Sequence, residues 1–172
     1  MQPLRKSLLL LFITAATIGC DQMTKVIAQN TLRSRPPIPL FGGLFQFFYA
    51  ENPGAFLSLG AGLSEPVRLW LFTISVGGFL VGLLLYALFN RNLMQVDLVA
   101  LSLILGGGIS NLIDRLIRDH RVIDFMVIGV GSLRTGVFNI ADLAITTGVG
   151  LLFWRNIRSP QRQEPSTRSR HD

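Results

Sequence analysis

The stretch VDLVALSLILGGGISNLIDRL (96–116) decides the fold class, because it is a long apolar run that ends in charged residues. An α-helix needs roughly 20 apolar residues to cross the hydrocarbon core of a bilayer, and this run has that length. Its glycines, 106–108, let another helix approach closely, since helix interfaces in lipid favour small residues. We therefore predict a membrane-spanning helix that packs tightly against its neighbours.

Three other segments, 8–28, 67–89 and 137–154, are also apolar enough to span a bilayer. The second contains Gly77 and Gly78, which we expect at another close helix contact. The chain of 172 residues is 49% hydrophobic and 15% charged, with a mean hydropathy of +0.47, too apolar for a water-soluble domain of this size. We predict an all-α membrane protein with four transmembrane helices, formed by one domain over residues 1–155.

The excess of positive charge lies mostly at the C-terminus. The net charge is +6, and residues 156–172 are rich in Arg, Ser, Gln and Pro. This composition predicts a disordered cytoplasmic tail near anionic lipid, so no nucleic-acid partner is expected. Cys20 is the single cysteine, and with two histidines it cannot form a His/Cys metal site. We therefore expect neither a metal nor a cofactor.

Positive charge also indicates an orientation. Arg5 and Lys6 precede the first span, Arg91 lies between the second and third, and the arginines of the tail follow the fourth. Cytoplasmic segments carry an excess of Lys and Arg, so both termini are expected in the cytoplasm. The margin is small, because the outer loops hold arginines as well.

The first outer segment, 30–65, has the features of short strands. LFQFFYA (44–50) lies between Gly42-Gly43 and Asn52-Pro53-Gly54. An apolar run bounded by such turn residues is typical of β-structure. We predict a small β-like platform on the outer face of the membrane.

Polar residues from separate parts of the chain are predicted to meet at that face. Asp21 lies thirteen residues beyond Leu8, and at 1.5 Å per residue this is about 20 Å across the membrane. Ionisable groups are costly at or inside a bilayer, so a layer of them marks a site of chemistry or transport. The others expected in this layer are Asn52, Asp114, Arg115, Asp124, Asn139 and Asp142.

Several charged residues also have structural interpretations. Asp21 and Lys25 are spaced i, i+4 and are expected to pair on one helix face. Asp114 is expected to be structural and to be held ionised by the adjacent Arg115. Asp97, at the cytoplasmic end of its span, is expected to cap the helix and to lie outside the site.

The amide side chains and the last two aspartates have structural alternatives too. Asn52 and Asn139 can each donate and accept, which suits a peptide or a carboxylate, although Asn52 could merely form its turn. Asn111 fits a site and a contact between helices equally well. In the structural alternative, Asp142 does no more than complement the dipole of its helix, and Asp124 does no more than bind backbone amides of its loop.

The motifs DQMTK (21–25), ENPGAF (51–56), GGGISNLIDR (106–115), VIDF (122–125) and FNIAD (138–142) resemble, in this order, the lipoprotein signal peptidase or signal peptidase II family. The resemblance covers residues 8–154. It implies an aspartic endopeptidase of the bacterial cytoplasmic (inner) membrane that removes the signal peptide just before a diacylglyceryl-modified cysteine. It implies Asp124 and Asp142 as catalytic residues. The supporting residues it implies are Asp21, Lys25, Asn52, Gly54, Asn111, Asp114, Arg115, Asn139 and Ala141.

The sequence departs from this family at two places. Ser110 stands where the family usually has glycine, and Phe56-Leu57 follows Gly54-Ala55 where a small residue and then an aromatic are common. Neither departure removes a polar group.

The partners expected from the resemblance are lipidated prolipoproteins and membrane lipid, and the protein is expected to be a monomer.

Two nearby aspartates can support such chemistry without a metal. Two carboxylates a few Å apart cannot both ionise cheaply, so one keeps its proton near neutral pH. The charged carboxylate can deprotonate a water, and the neutral one can protonate the carbonyl oxygen.

Two other functions remain as alternatives. TIGC (17–20) after a basic start and an apolar run imitates a lipidation signal with Cys20 as acceptor, although Thr17 and Ile18 match that signal poorly. Intramembrane carboxylates also occur in proton-coupled transporters and channels. The acids here are expected in one outer layer, whereas a proton path would need them across the membrane.

Overall fold

The computed structural model describes residues 3–54, 60 and 62–158. Of the predicted tail, 156–172, residues 156–158 are helical. The tail beyond 158 and the departure at Phe56-Leu57 lie outside the described residues. The elements, in chain order, are α1 (Pro3–Leu32), β1 (Ile38–Leu40), β2 (Phe45–Asn52), α2 (Glu65–Arg68), a π-helical segment (Leu69–Ser75), α3 (Val76–Phe89), α4 (Gln95–Ile117), β3 (Val122–Val130), β4 (Leu133–Arg134) and α5 (Ile140–Arg158). The π-helical segment joins α2 to α3 without a break.

Within the described part of the chain, three helical stretches are long and apolar enough to cross a membrane: Leu4–Leu32, Glu65–Phe89 and Gln95–Ile117. They correspond to three of the four predicted spans. Large apolar side chains such as Phe12 and Phe79 point away from the protein, as expected for surfaces that face lipid. The remaining helix, α5, has 19 residues and carries charge in its first and last turns. A fourth span therefore stays a prediction.

Helix α4 lies at the centre, packed against α1, α3 and α5. A Cβ added at Gly106 would lie 2.6 Å from the Thr17 Cβ of α1, and one at Gly108 would lie 2.5 Å from Leu80 of α3. At Gly107 it would collide with the Ala141 carbonyl oxygen of α5. Since successive helical residues point about 100° apart, three consecutive glycines serve three different neighbours. The predicted close approach at 106–108 is confirmed.

The same expectation for the glycine pair in α3 is wrong. A Cβ at Gly78 would meet nothing within 4 Å, and one at Gly77 would make ordinary contact with Leu112 at 3.7 Å. Gly78 is exposed on α3, so it provides no helix contact within the described protein.

A four-stranded antiparallel sheet, in the order β1-β2-β3-β4, covers one end of the helices. We call this the sheet end; there α1 and α4 terminate and α5 begins. The fold is mostly helical, and the β-structure predicted in the first outer segment is present as β1 and β2. The sheet is larger than predicted, because β3 and β4 come from the segment between α4 and α5. Strand β3 was missed since VIDFMVIGV lacks polar alternation, as fully buried strands often do.

Candidate active site

Two buried carboxylates lie at the junction of the sheet and the helices. Asp124 is on β3 and is 1% exposed, and Asp142 is in the first turn of α5 and is 7% exposed. Asn139 donates through Nδ2 to Asp124 Oδ1 at 2.7 Å, and Asn111 donates through Nδ2 to Asp142 Oδ1 at 3.1 Å. The two amides are themselves 3.1 Å apart, Nδ2 of Asn139 to Oδ1 of Asn111. A continuous chain of hydrogen bonds therefore joins the two aspartates.

The start of α5 fixes the position of Asp142. The backbone N–H of Asn139 donates to Asp142 Oδ2 at 3.2 Å, and the backbone N–H of Asp142 donates to Asn139 Oδ1 at 2.9 Å. This reciprocal arrangement is a capping box, which satisfies backbone donors at a helix start. The structural interpretation of Asp142 is thus present, and its Oδ1 still meets Asn111 inside the cluster.

Asp124 is held from the other side by the end of β2. Asn52 donates through Nδ2 to Asp124 Oδ2 at 2.9 Å, while its Oδ1 accepts the Gly54 amide at 2.9 Å. Both interpretations of Asn52, turn former and carboxylate partner, therefore hold. Burial raises the pKa of Asp124 to about 7, and the nearby charge of Asp142 adds to this, whereas the amide donors of Asn52 and Asn139 lower it. Asp124 can accordingly keep its proton close to neutral pH.

A fully buried lysine organises the charges behind the two aspartates. Lys25 Nζ lies 2.7 Å from Asp21 Oδ2 and 2.9 Å from Asp114 Oδ2. The pairing predicted from the i, i+4 spacing is present. Lys25 also donates to Asn111 Oδ1 at 2.8 Å, and Asp21 Oδ1 accepts the Ala141 amide at 2.8 Å. The lysine cluster is therefore bonded both to an asparagine of the site and to the backbone beside Asp142.

Asp114 and Arg115 interact through their charges, but the ion pairs of Asp114 are with Lys25 and Arg118. Neighbouring residues on a helix point in different directions, so Asp114 faces Lys25 and also accepts the Ile123 amide at 3.1 Å. Arg115 donates through Nη2 to the Gly54 carbonyl at 2.8 Å. Arg115 therefore fastens the end of β2 to α4.

The structure brings all the predicted residues into this one cluster, and their catalytic or supporting role stays a prediction. Two further members were not predicted as site residues, and one of them, Ser110, is a departure from the family pattern. The hydroxyl of Ser110 donates to Asp21 Oδ2 at 2.7 Å, and Gln22 Nε2 lies 3.0 Å from Ser110 Oγ and 3.0 Å from Asp114 Oδ1. The available signal was a polar residue next to Asp21 and a small hydroxyl at a helix interface. Asp97 caps α4 at the opposite end, as predicted, through the Met94 amide at 3.0 Å.

An apolar groove of about 320 Å³ opens beside Asp142. Besides the aspartate it is lined by Ile145, Thr146 and Val149 of α5. The described residues contain no group of three or more His, Cys, Asp or Glu side chains arranged to hold a metal ion. The site therefore offers paired carboxylates next to an apolar surface.

Known proteins with similar sequences are described as lipoprotein signal peptidases. Residues 13–158 match the model of the family described as signal peptidase (SPase) II. The lipoprotein signal peptidase of Geobacter metallireducens is 38% identical over 154 residues, covering 88% of this chain and 91% of that protein. That of Xanthomonas axonopodis pv. citri is 33% identical over 171 residues, covering 96% of each.

Solved structures agree at the level of the fold. One, described as a bacterial membrane enzyme determined by the in meso method at 2.3 Å resolution, superposes with a TM-score of 0.77 at 24% identity. It covers 91% of this chain and 93% of that chain. A second, at 1.9 Å, has a TM-score of 0.74 and the same identity.

Proposed function

This chain belongs to the signal peptidase II family, and from that premise we propose that it is an aspartic endopeptidase acting within the membrane. It removes the signal peptide from diacylglyceryl-modified prolipoproteins by cutting just before the lipidated cysteine. The observation that carries the proposal is the buried pair Asp124 and Asp142, joined through the amides of Asn139 and Asn111. Lipidated prolipoproteins are accordingly its substrates.

The proposed mechanism needs the two aspartates to share one proton. The ionised carboxylate deprotonates a water molecule, which attacks the carbonyl carbon of the scissile peptide. The neutral carboxylate donates a hydrogen bond and then a proton to the carbonyl oxygen. The tetrahedral diol then collapses: the C–N bond breaks, the leaving amine takes the proton that the first carboxylate removed from water, and the diol returns a proton to the second carboxylate. Titration belongs to the pair, so the two residues act as a unit.

The proposed placement puts the sheet end at the outer face of a bacterial cytoplasmic membrane. Four helices span the membrane, both termini are cytoplasmic, and the protein acts as a monomer surrounded by lipid. A signal helix and its acyl chains already lie in the bilayer, so the substrate enters laterally. The apolar groove beside Asp142 supports this route, because it places an apolar surface next to a carboxylate.

The alternatives are not favoured. The carboxylates of the cluster gather at the sheet end, whereas a transporter needs a proton path across the membrane. Cys20 lies inside the continuous helix α1, next to Asp21, so processing before Cys20 would sever the helix that carries the lysine cluster.

The test compares a lipidated with an unlipidated substrate in the same micelles. A transmembrane signal peptide anchors itself, so the comparison isolates recognition of the acyl chains. Since each buried methylene contributes about 0.8 kcal/mol, we expect kcat/KM to fall at least about 100-fold when the diacylglyceryl group is removed. The Asp124→Asn variant controls for contaminating proteases. Equal cleavage of both substrates would contradict the proposed specificity.

A further inference from the structure

Ser110 uses its hydroxyl in a way that differs from another buried serine of the same helix. Serine within a helix commonly donates to the carbonyl four residues earlier, and Ser102 does so, with its Oγ 2.6 Å from the Leu98 carbonyl. Ser110 donates across to α1 and contacts Asp21 Oδ2 at 2.7 Å. Both serines are 0% exposed. The hydroxyl of Ser110 is therefore committed to a carboxylate on another helix.

That carboxylate is the link to the first turn of α5. Asp21 Oδ2 accepts hydrogen bonds from the Ser110 hydroxyl and the Lys25 ammonium group. Asp21 Oδ1 accepts one from the backbone amide of Ala141, the residue before Asp142. The terminal torsion of an aspartate is broad, so the plane of the carboxylate depends on what holds each of its oxygens. The Ala141 amide holds Oδ1, and the hydroxyl of Ser110, fixed on a neighbouring helix, joins Lys25 in holding Oδ2.

The direction of the hydroxyl proton is itself defined. Gln22 places Nε2 3.0 Å from Ser110 Oγ and therefore occupies the acceptor side of the hydroxyl. The same nitrogen lies 3.2 Å from the Ser110 carbonyl and 3.0 Å from Asp114 Oδ1. With its acceptor side engaged, the hydroxyl is left to donate, and Asp21 is the acceptor in contact.

We propose that Ser110, oriented by Gln22, is a positioning residue that acts through Asp21 and the Ala141 amide to hold Asp142 in register with Asp124. The inference rests on the proposed function of the two aspartates. Ser110 touches neither of them, so its removal should disturb catalysis more than substrate binding.

The test compares Ser110→Ala with Ser102→Ala, which removes an equally buried hydroxyl from the same helix. Per folded enzyme, Ser110→Ala should lower kcat at least about tenfold with KM within about twofold, because small misplacements of catalytic groups are costly. Ser102→Ala should leave both within about twofold of the wild type. Gln22→Met, which keeps the length without the donor, should lower kcat in the same direction and to a smaller extent.

A second measurement does not depend on turnover. The carboxyl of Asp124 can be titrated by infrared difference spectroscopy and assigned by its loss in Asp124→Asn. Displacement of Asp142 changes its interaction with Asp124, so the midpoint should move by at least about 0.5 pH unit in Ser110→Ala and stay fixed in Ser102→Ala.

The outcomes separate the two proposals. If the wild type does not cleave the lipidated peptide, the proposed function fails, and the titration still decides the role of Ser110. The positioning role is overturned if the two serine variants behave alike either in kcat or in the titration midpoint. It is also overturned if the loss in Ser110→Ala disappears once rates are normalised to the folded fraction.

Discussion

At the scale of single residues, the site depends on side chains that donate and accept at once. Asn111 accepts from Lys25 and Asn139 through Oδ1 while it donates to Asp142 through Nδ2. A carboxylate could only accept in its ionised form, and a lysine could only donate. An amide is therefore the group that can connect a buried cation to a buried carboxylate without adding charge.

Replacing either aspartate by asparagine should abolish cleavage. An amide neither deprotonates water nor donates an acidic proton, so Asp124→Asn and Asp142→Asn should each lose at least about 100-fold in kcat/KM. The measurement is cleavage of a lipidated peptide by protein whose folding is checked by thermal unfolding in detergent. Asp97→Asn, which changes a buried aspartate at the other end of α4, serves as control and should keep most activity. Activity near the wild-type level in either site variant would refute the dyad.

Activity should also fall as the pH rises through about 7. Burial and the charge of Asp142 raise the pKa of Asp124 to about 7, so the shared proton is lost above that pH. The ordinary pKa of an aspartic acid is 3.8, so the folded protein binds this proton more tightly than the unfolded chain between about pH 4 and 7. Its contribution to stability is complete below about pH 4 and is lost as the pH rises through about 7.

The measurements are a pH–rate profile with a substrate that does not titrate and melting temperatures at pH 5 to 8. The melting temperature of the wild type should fall across this range relative to Asp124→Asn, which lacks the titrating group. A rate that stays level from pH 6 to 9 would be inconsistent with a shared proton.

The sequence could predict which polar residues gather in one layer, because the position of each along its span and the order of the motifs can both be read from the linear chain. The contacts within the cluster could not be predicted in the same way. That Asp114 faces Lys25 depends on the rotation of α4 against α1. The contact of Ser110 with Asp21 depends on the same rotation.

At the scale of elements, apolar runs of helical length predicted most of the helices, but not the strand that carries Asp124. A run such as β3 fits a buried strand or a buried helix, and pairing with β2 decides between them. That pairing sets Asp124 opposite Ala50, near Asn52 at the end of β2. A single sequence contains no direct record of such register. The π-helical segment Leu69–Ser75 likewise had no sequence signal that we recognised.

Close packing of α4 against α5 should be sensitive to one methyl group. Gly107→Ala places a Cβ against the Ala141 carbonyl and should destabilise the protein by about 1–3 kcal/mol. Because α5 carries Asp142, activity should fall as well. Gly78→Ala adds the same methyl group where nothing lies within 4 Å, so it should leave stability unchanged or raise it by up to about 1 kcal/mol. Equal melting temperatures for the two variants in detergent would show that the α4–α5 contact tolerates the added volume.

At the scale of the whole molecule, the orientation in the membrane rests on a small arginine margin and is best tested directly. Residues 52 and 124 are too buried for labelling, whereas Phe41 and Leu133 at the sheet end are 83% and 84% exposed. In a Cys20→Ala background, single cysteines at 41 and 133 should react with a membrane-impermeant thiol reagent added outside the cell. A cysteine at 91 should react only after the membrane is opened. Labelling of 91 from outside would reverse the proposed topology.

The internal ion pairs of α1 and α4 bear on how the chain is made. Asp21 has Lys25 one turn later on α1, and Asp114 has Arg118 one turn later, just beyond the end of α4, at 3.4 Å. An unpaired carboxylate is costly on a helix that enters lipid alone. Because each carboxylate has a cation on its own helix or directly after it, we expect that α1 and α4 can be inserted one by one. Lys25 gains Asp114 as a second partner only when α1 and α4 dock. Assembly of the site is thereby separated from insertion of its parts.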